Sequence, residues 1–209
     1  MHIESYQIIL IAIFLLVAFP VHEFFHAYAA YRLGDGTAKM FGRLTLNPIV
    51  HFDPLGGLLL MVSVLSSGFV FGWAKPTPVN PSNLRDRRNS EVIVALAGPA
   101  SNLVMACLAA LVFRALEATG ILQELPTLVP EVLFYFVLFN VLLAIFNMIP
   151  IPPLDGSTLL WRFLPPQLVW QWRPILTQYG FIILLVFIFT IGPRVGQLVF
   201  NVTSFLVGL

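Results

Sequence analysis

Charged side chains are scarce in this chain of 209 residues, because only 10% are Asp, Glu, Lys or Arg. Soluble domains carry roughly 25% charged residues, whereas 58% of this chain is hydrophobic and its mean hydropathy is +0.90. These values exclude an ordinary soluble enzyme and predict an integral membrane protein. The formal net charge is only +1, and the basic residues stand beside apolar runs, so we expect no nucleic-acid partner.

Cysteine is nearly absent from the chain, and lysine and arginine are absent from its first five positions. The single cysteine, Cys107, lies in an apolar run, which excludes an intrachain disulfide and a metal site built from several thiolates. Residues 1–5 contain no Lys or Arg, so we expect no cleavable signal peptide. We predict one membrane-embedded domain, residues 1–209, with a core at 6–160 and additional C-terminal helices at 161–209.

Long apolar runs are abundant. A membrane-spanning helix needs about 20 residues, and the second and the last of the runs are short for a full crossing. We therefore predict an all-α polytopic membrane protein with about five to six transmembrane helices and a short re-entrant or non-spanning segment at 55–71. The runs occupy residues 6–31, 55–71, 91–116, 132–149, 175–191 and 195–209.

Two connecting segments differ in composition from the apolar runs. Residues 37–46 contain β-branched and alternating side chains, which predicts a small membrane-associated β-hairpin or sheet. Residues 72–83 contain three prolines, which favours an extended strand or loop over a helix.

The sequence His22-Glu23-Phe24-Phe25-His26 lies within the first apolar run. Ionisable residues are costly at membrane depth, so they indicate a functional site there. Residues four apart share a helix face, so both imidazoles can bind one metal ion while Glu23 accepts a proton from a nearby water. This pattern is typical of a zinc hydrolase. The alternative is that both histidines are helix-interface residues bonded to backbone carbonyls.

A second polar cluster follows the fourth apolar run, where Asn147 precedes a proline-rich sequence, 150–153, and then Asp155. Prolines break the helix, so Asp155 comes from an irregular backbone that protein must shield. A carboxylate can supply the third ligand to a site with two histidines and leave the fourth tetrahedral position for water. The alternative is that Asp155 caps the helix that begins near Ser157.

Basic residues are unevenly distributed along the chain. Residues 32–90 contain seven Lys or Arg, whereas 115–131 contain three Glu and neither Lys nor Arg. The positive-inside rule therefore predicts a multi-pass protein of the cell membrane with 32–90 and the metal site toward the cytoplasm. If Asp155 is to meet His22 and His26, an even number of spans must separate them, which requires that 55–71 does not cross.

With these residues the chain resembles the site-2 protease family of intramembrane zinc metalloproteases, in its compact prokaryotic form without a PDZ domain. The similarity extends from about residue 18 to residue 160 and includes five motifs in order. They are His22-Glu23-x-x-His26; Asn47-Pro48 with 51–56; 72–76 with Val79-Asn80-Pro81; 97–102, which reads Ala-Gly-Pro-Ala-Ser-Asn; and 147–156, which ends in Leu-Asp-Gly.

The resemblance implies a function and a set of site residues. It implies a protease that hydrolyses peptide bonds in or near transmembrane segments of membrane proteins, with one Zn2+ per chain bound by His22, His26 and Asp155. Glu23 is then the general base, and Asn147 contacts the substrate carbonyl and stabilises the oxyanion. The alternative for Asn147 is helix packing. The alternative functions are a catalytically inactive membrane scaffold and a metal carrier.

Two further segments have open roles. His51 and Asp53 could help to orient a zinc ligand, or His51 could itself compete as a ligand or bind substrate. The alternative is a polar turn in which Asp53 caps the following run. The segment 72–81 could pair with substrate as an added strand. In that case, substituting Trp73 or Asn80 should impair cleavage of a helical substrate more than cleavage of a flexible peptide.

Overall fold

The first described helix carries the His-Glu motif. A computed structural model of the protein describes residues 14–56 and 75–209. A π-helical turn at Phe14–Ala18 leads directly into helix α1, Phe19–Arg32. Pro20 lies at this junction and has no N–H to donate to the preceding turn, in agreement with the change from π-helical to α-helical hydrogen bonding there. The buried face of α1 includes both motif histidines and Glu23, so the polar side chains point into protein and away from lipid.

Short helices follow α1, and the predicted β-hairpin at 37–46 is wrong. Residues Thr37–Met40 form helix α2, and the residues described contain no strand. The Asp35 carboxylate accepts hydrogen bonds from the Thr37 N–H at 3.0 Å and the Thr37 hydroxyl at 2.5 Å, which starts a helical turn. Gly42, with φ of 67°, ends the turn in a left-handed conformation. This local turn chemistry outweighs the β-branched composition.

Among the described residues, three of the remaining helices are long and apolar enough to cross a membrane, by length and composition. They are α4, Arg87–Ala118; α6, Leu128–Asn147; and α8, Pro166–Thr190. The predicted run at 55–71 lies almost wholly outside the described residues, and the run at 6–31 only partly within them. The five to six spans therefore stay a prediction. The helices are α3, Pro48–His51; α4, Arg87–Ala118; α5, Ile121–Glu124; α6, Leu128–Asn147; α7, Gly156–Phe163; α8, Pro166–Thr190; and α9, Gly192–Val207.

Helices α4 and α6 pack closely against each other, and α9 completes an apolar core beside them. Small residues of α4 at this interface allow the helix axes to approach, as is common between membrane helices. Cys107 lies on the outer, exposed side of α4, as expected for a small residue that faces lipid. The buried core residues are Ala106, Ala110, Phe113, Leu122, Val137, Val141, Val199 and Val207.

A smaller apolar cluster fixes α1 against the first half of α4. It consists of Ala30, Leu84 and Val94, and the partly buried Val79 packs against it. Val79 belongs to the extended segment 75–80, which has no regular secondary structure. The cluster therefore brings three of the sequence motifs together: the one on α1, the one in 75–81 and the one at 97–102.

Candidate active site

Three side chains from two distant parts of the chain converge on one point. Asp155 Oδ2 lies 3.3 Å from His22 Nε2 and 3.2 Å from His26 Nε2. The two Nε2 atoms are 3.0 Å apart. Both imidazoles are buried, with 2% and 7% of their surface exposed. Among residues 14–56 and 75–209, this is the only group of three such side chains with donor atoms close enough to hold a metal ion.

The outer nitrogen of each histidine is fixed by a protein acceptor. His26 Nδ1 donates to the carbonyl of Val94 at 2.7 Å, and a carbonyl can only accept. His22 Nδ1 lies 2.6 Å from Asn102 Oδ1. The Asn102 amide is oriented by its Nδ2, which donates to the Ala18 carbonyl at 3.2 Å, so its oxygen faces His22. Each neutral ring therefore carries its proton on Nδ1 and presents a lone pair at Nε2.

These lone pairs fit a zinc ion. Two imidazole lone pairs and a carboxylate oxygen face one another at 3.0–3.3 Å, and Asp155 Oδ2 is buried with no hydrogen-bond donor among the described residues. Three acceptors in such proximity repel one another unless a cation lies between them. Ligand atoms that share zinc at about 2.0–2.1 Å in tetrahedral geometry are roughly 3.3 Å apart.

The alternative role of Asp155, as a helix cap, is not realised. Asp155 occupies the N-cap position of α7, but its side chain makes no capping hydrogen bond. Gly156 lets the backbone fold back so closely that a Cβ there would lie 2.2 Å from the Met148 carbonyl oxygen. The loop between α6 and α7 is therefore shaped to aim the carboxylate at the histidines rather than at its own helix.

Gly98 allows α4 to approach the histidine pair. A Cβ at this position would lie 2.3 Å from His26 Nε2 and 2.7 Å from His22 Cε1. Gly98 therefore serves close packing of α4, and the surface that it contacts is the pair of imidazole rings.

Glu23 points from α1 toward the extended segment 75–80. Its Oε2 accepts hydrogen bonds from the Thr77 N–H at 2.9 Å and from the Thr77 hydroxyl at 2.6 Å. The side chain is buried, with 8% of its surface exposed. One carboxylate oxygen is thus held by Thr77.

Asn147 has a different environment from the three converging residues. Its Nδ2 donates to the Leu143 carbonyl, one turn earlier in α6, at 3.0 Å. Asn140 is fully buried, and its Oδ1 accepts from Asn102 Nδ2 at 2.9 Å. Asn140 therefore joins α6 to α4 through Asn102, and Asn102 in turn holds His22.

His51 and Asp53 occupy a polar turn. The ring of His51 is 1% exposed, and its Nε2 lies 2.9 Å from the Thr45 carbonyl. Asp53 Oδ1 accepts from the N–H groups of Leu55 and Gly56, both at 2.9 Å, which is the capping role weighed from the sequence. Neither residue belongs to the group that converges on Asp155.

Asp35 anchors the loop after α1 to the segment 80–83. Its carboxylate is fully buried and accepts from the Asn80 N–H at 2.7 Å and from Asn83 Nδ2 at 3.0 Å. Burial alone raises the pKa of Asp35, but hydrogen bonds from Thr37, Asn83 and Asn80 favour the ionised form and leave its pKa below the usual value. The side chain of Asn80 caps the 3₁₀ turn that follows, through Ser82 N–H at 3.1 Å.

The comparisons with known proteins agree with this site. The model of peptidase family M50 matches residues 9–187. The chain belongs to peptidase family M50. This membership confirms the resemblance to the site-2 proteases, and M50 membership makes the chain a metallopeptidase.

Two curated relatives of this M50 peptidase cover most of its length. "Putative zinc metalloprotease YwhC" of Bacillus subtilis is 40% identical over 185 residues, which is 86% of this chain and 80% of the relative. "Putative zinc metalloprotease Rip2" of Mycolicibacterium smegmatis is 31% identical over 175 residues, 84% of this chain and 64% of the relative. The chain therefore spans less than two thirds of Rip2. No solved structure matches the chain significantly.

Two residues of the M50 site were not assigned from the sequence: Asn102 and Thr77. Asn102 had a signal, because an amide in an apolar helix needs a partner, but its partner His22 lies 80 positions away. Thr77 had no such signal, since a threonine between two prolines in a loop needs no special explanation.

Proposed function

We propose that the protein is an intramembrane zinc endopeptidase in which His22, His26 and Asp155 bind one Zn2+ per chain and Glu23 is the general base. The observation that carries this proposal is the convergence of three lone pairs within 3.0–3.3 Å at a buried point. The curated relatives are named as zinc metalloproteases, which supports zinc over other ions. A scaffold would have no use for a buried glutamate beside such a group.

The role of each group in the reaction follows from the positions of the side chains. Zinc held there supplies Lewis-acid activation of a water molecule and of the substrate carbonyl. Glu23 accepts the proton of the attacking water on the oxygen that Thr77 leaves free, and it later passes this proton to the departing amine. Asn147 contacts the substrate carbonyl in this scheme through the second N–H of its amide, because only one N–H is donated to the Leu143 carbonyl.

The substrates in this proposal are transmembrane proteins or peptides in the lipid bilayer. A buried site on membrane-embedded helices can act on a bond that lies in or near a membrane segment. A helical substrate must unwind locally before cleavage, because its carbonyls are otherwise bonded within the helix.

The site faces the cytoplasmic side of the cell membrane in this proposal. Arg162 supports this orientation, because it donates to Asn89 Oδ1 at 3.1 Å and so adds a positive charge at the basic end of α4. Labelling of single cysteines placed at 39 and at 124 in intact cells tests the topology. Position 39 should be protected from an impermeant reagent and position 124 should react, and the reverse pattern would overturn the orientation.

Metal analysis combined with a cleavage assay on purified protein tests the proposal as a whole. We expect Glu23→Gln to keep one zinc per chain and to lose activity on the order of 100- to 10,000-fold, the usual contribution of a general base. We expect Asp155→Ala to lose both zinc and activity, since only the two imidazoles would remain as protein ligands.

Glu124→Gln is the matched control, because Glu124 is an exposed carboxylate in the short helix α5. It should retain zinc and turnover. Undiminished turnover by Glu23→Gln would exclude Glu23 as the base, and full zinc binding by Asp155→Ala would exclude the three-ligand site.

A further inference from the structure

Thr77 makes two hydrogen bonds to the same oxygen of the Glu23 carboxylate. Its backbone N–H lies 2.9 Å from Glu23 Oε2, and its hydroxyl oxygen lies 2.6 Å from the same atom. The hydroxyl is also 3.1 Å from the Glu23 carbonyl, but it has one proton, and the shorter contact is to the charged acceptor. Hydrogen bonds to a carboxylate are shorter and stronger than those between neutral groups.

This arrangement determines the orientation of the carboxylate. A glutamate side chain has several rotatable bonds and is poorly placed to act as a base unless something fixes it. Two donors on Oε2 fix one oxygen in space and leave Oε1 to accept a proton. Correct placement matters in catalysis, since a displacement of about 1 Å can cost roughly 100-fold in rate.

The fold holds Thr77 in place independently of Glu23. Pro76 and Pro78 flank Thr77 and restrict the backbone on both sides. On one side the Lys75 N–H donates to the His51 carbonyl at 3.0 Å, and on the other the Asn80 N–H donates to Asp35 at 2.7 Å. The segment is therefore anchored at both ends, and Thr77 is a fixed reference for the glutamate.

We infer that Thr77 is a positioning residue of the proteolytic reaction, holding the Glu23 carboxylate in the orientation that accepts the proton of the attacking water. The inference rests on the proposed role of Glu23 as the general base. It assigns to residues 75–81, the described part of the motif at 72–81, a function that differs from strand pairing with substrate: this part orients the base.

Steady-state cleavage of a transmembrane peptide by the zinc-loaded enzyme tests this assignment with Thr77→Val and Thr77→Ser. Valine keeps the shape and the N–H but lacks the hydroxyl, so kcat should fall on the order of tenfold to a hundredfold with KM and zinc content unchanged. Serine keeps the hydroxyl and should restore most of kcat. If Thr77 served only to pack against its neighbours, valine would preserve kcat better than serine, because valine keeps the shape of threonine.

Two control variants separate positioning from general loosening. Thr203→Val changes a fully buried threonine in α9 whose hydroxyl has no partner among the described residues, and it should leave kcat unchanged. Asn83→Ala removes the hydrogen bond from Asn83 to Asp35 without touching Glu23. It should lower the thermal midpoint of unfolding and leave kcat nearly unchanged.

The possible results distinguish a failure of the role of Thr77 from a failure of the proposed function. Wild-type kcat in Thr77→Val, or equal losses in Thr77→Val and Thr77→Ser, overturns the role of the hydroxyl. An equal loss of kcat in Asn83→Ala shows that Thr77 acts only through the stability of the segment, which also overturns it. An active Glu23→Gln enzyme instead overturns the proposed function, whatever the Thr77 variants do.

Discussion

Adding one methyl group at Gly98 should disable the site. The Cβ of an alanine at this position would lie 2.3 Å from His26 Nε2, 2.6 Å from His26 Cε1 and 2.7 Å from His22 Cε1. Non-bonded heavy atoms are most stable at about 3.5–4.0 Å, so the rings or the helix must move by roughly 1 Å.

The histidine rings cannot make this movement without losing hydrogen bonds to α4. Their outer nitrogens are held at 2.6 Å by Asn102 and at 2.7 Å by the Val94 carbonyl, both on α4 itself. A shift of α4 would carry these partners with it, whereas a rotation of the rings would break their hydrogen bonds and turn Nε2 away from Asp155. We expect Gly98→Ala to weaken zinc binding roughly 10- to 100-fold and to lower kcat/KM by about 100-fold.

The assay is zinc content after dialysis against a graded chelator, together with cleavage of a transmembrane peptide in detergent. Gly196→Ala is the matched control, because a Cβ at Gly196 in α9 meets nothing within 4 Å. It should retain activity and gain up to about 1 kcal/mol of helix stability. If Gly98→Ala keeps both zinc and turnover while folding normally, α4 does not approach the histidines as described, and the reasoning fails.

Two further predictions concern residues that support the site. Asn102→Leu removes the acceptor of His22 Nδ1 and should weaken zinc binding about 10- to 100-fold while the protein stays folded; metal titration checks this, and unchanged affinity would contradict it. Asp35→Asn should destabilise the protein by roughly 1–3 kcal/mol at neutral pH. Because the pKa of folded Asp35 is lowered, its contribution is complete above about pH 4 and is lost as the pH falls through the folded value. Unfolding measured across pH should therefore show the gap between wild type and Asp35→Asn closing in acid; a gap independent of pH would exclude this role.

The parts of the site that could be predicted from the sequence are those fixed by local geometry or by donor chemistry. The four-residue spacing of His22 and His26 places both on one face of any helix. Asp155 could be proposed because zinc with two histidines needs another ligand and the proline-rich loop offers one. The structure agrees with this choice by leaving Asp155 without a capping bond.

The parts that could not be predicted depend on tertiary contacts or on competing turn chemistry. The contact of Thr77 with Glu23 joins residues 54 positions apart, and no periodicity or motif encodes it. The predicted hairpin at 37–46 is wrong because β-branched residues favour a strand, whereas Asp35 and Gly42 set up a single helical turn there. In both cases the deciding information is a hydrogen-bond partner that the composition of the segment does not reveal.

The polar contacts of Asn102 join the metal site to the packing of the helices. In lipid, apolar side chains give little preference for one helix alignment over another, so hydrogen bonds and close packing must supply it. The one amide of Asn102 contacts His22 on α1, Ala18 before it and Asn140 on α6. Sliding α4 by one turn would break all three bonds and move Gly98 away from the rings. The alignment that places the helices correctly is therefore also the one that brings the two imidazoles together.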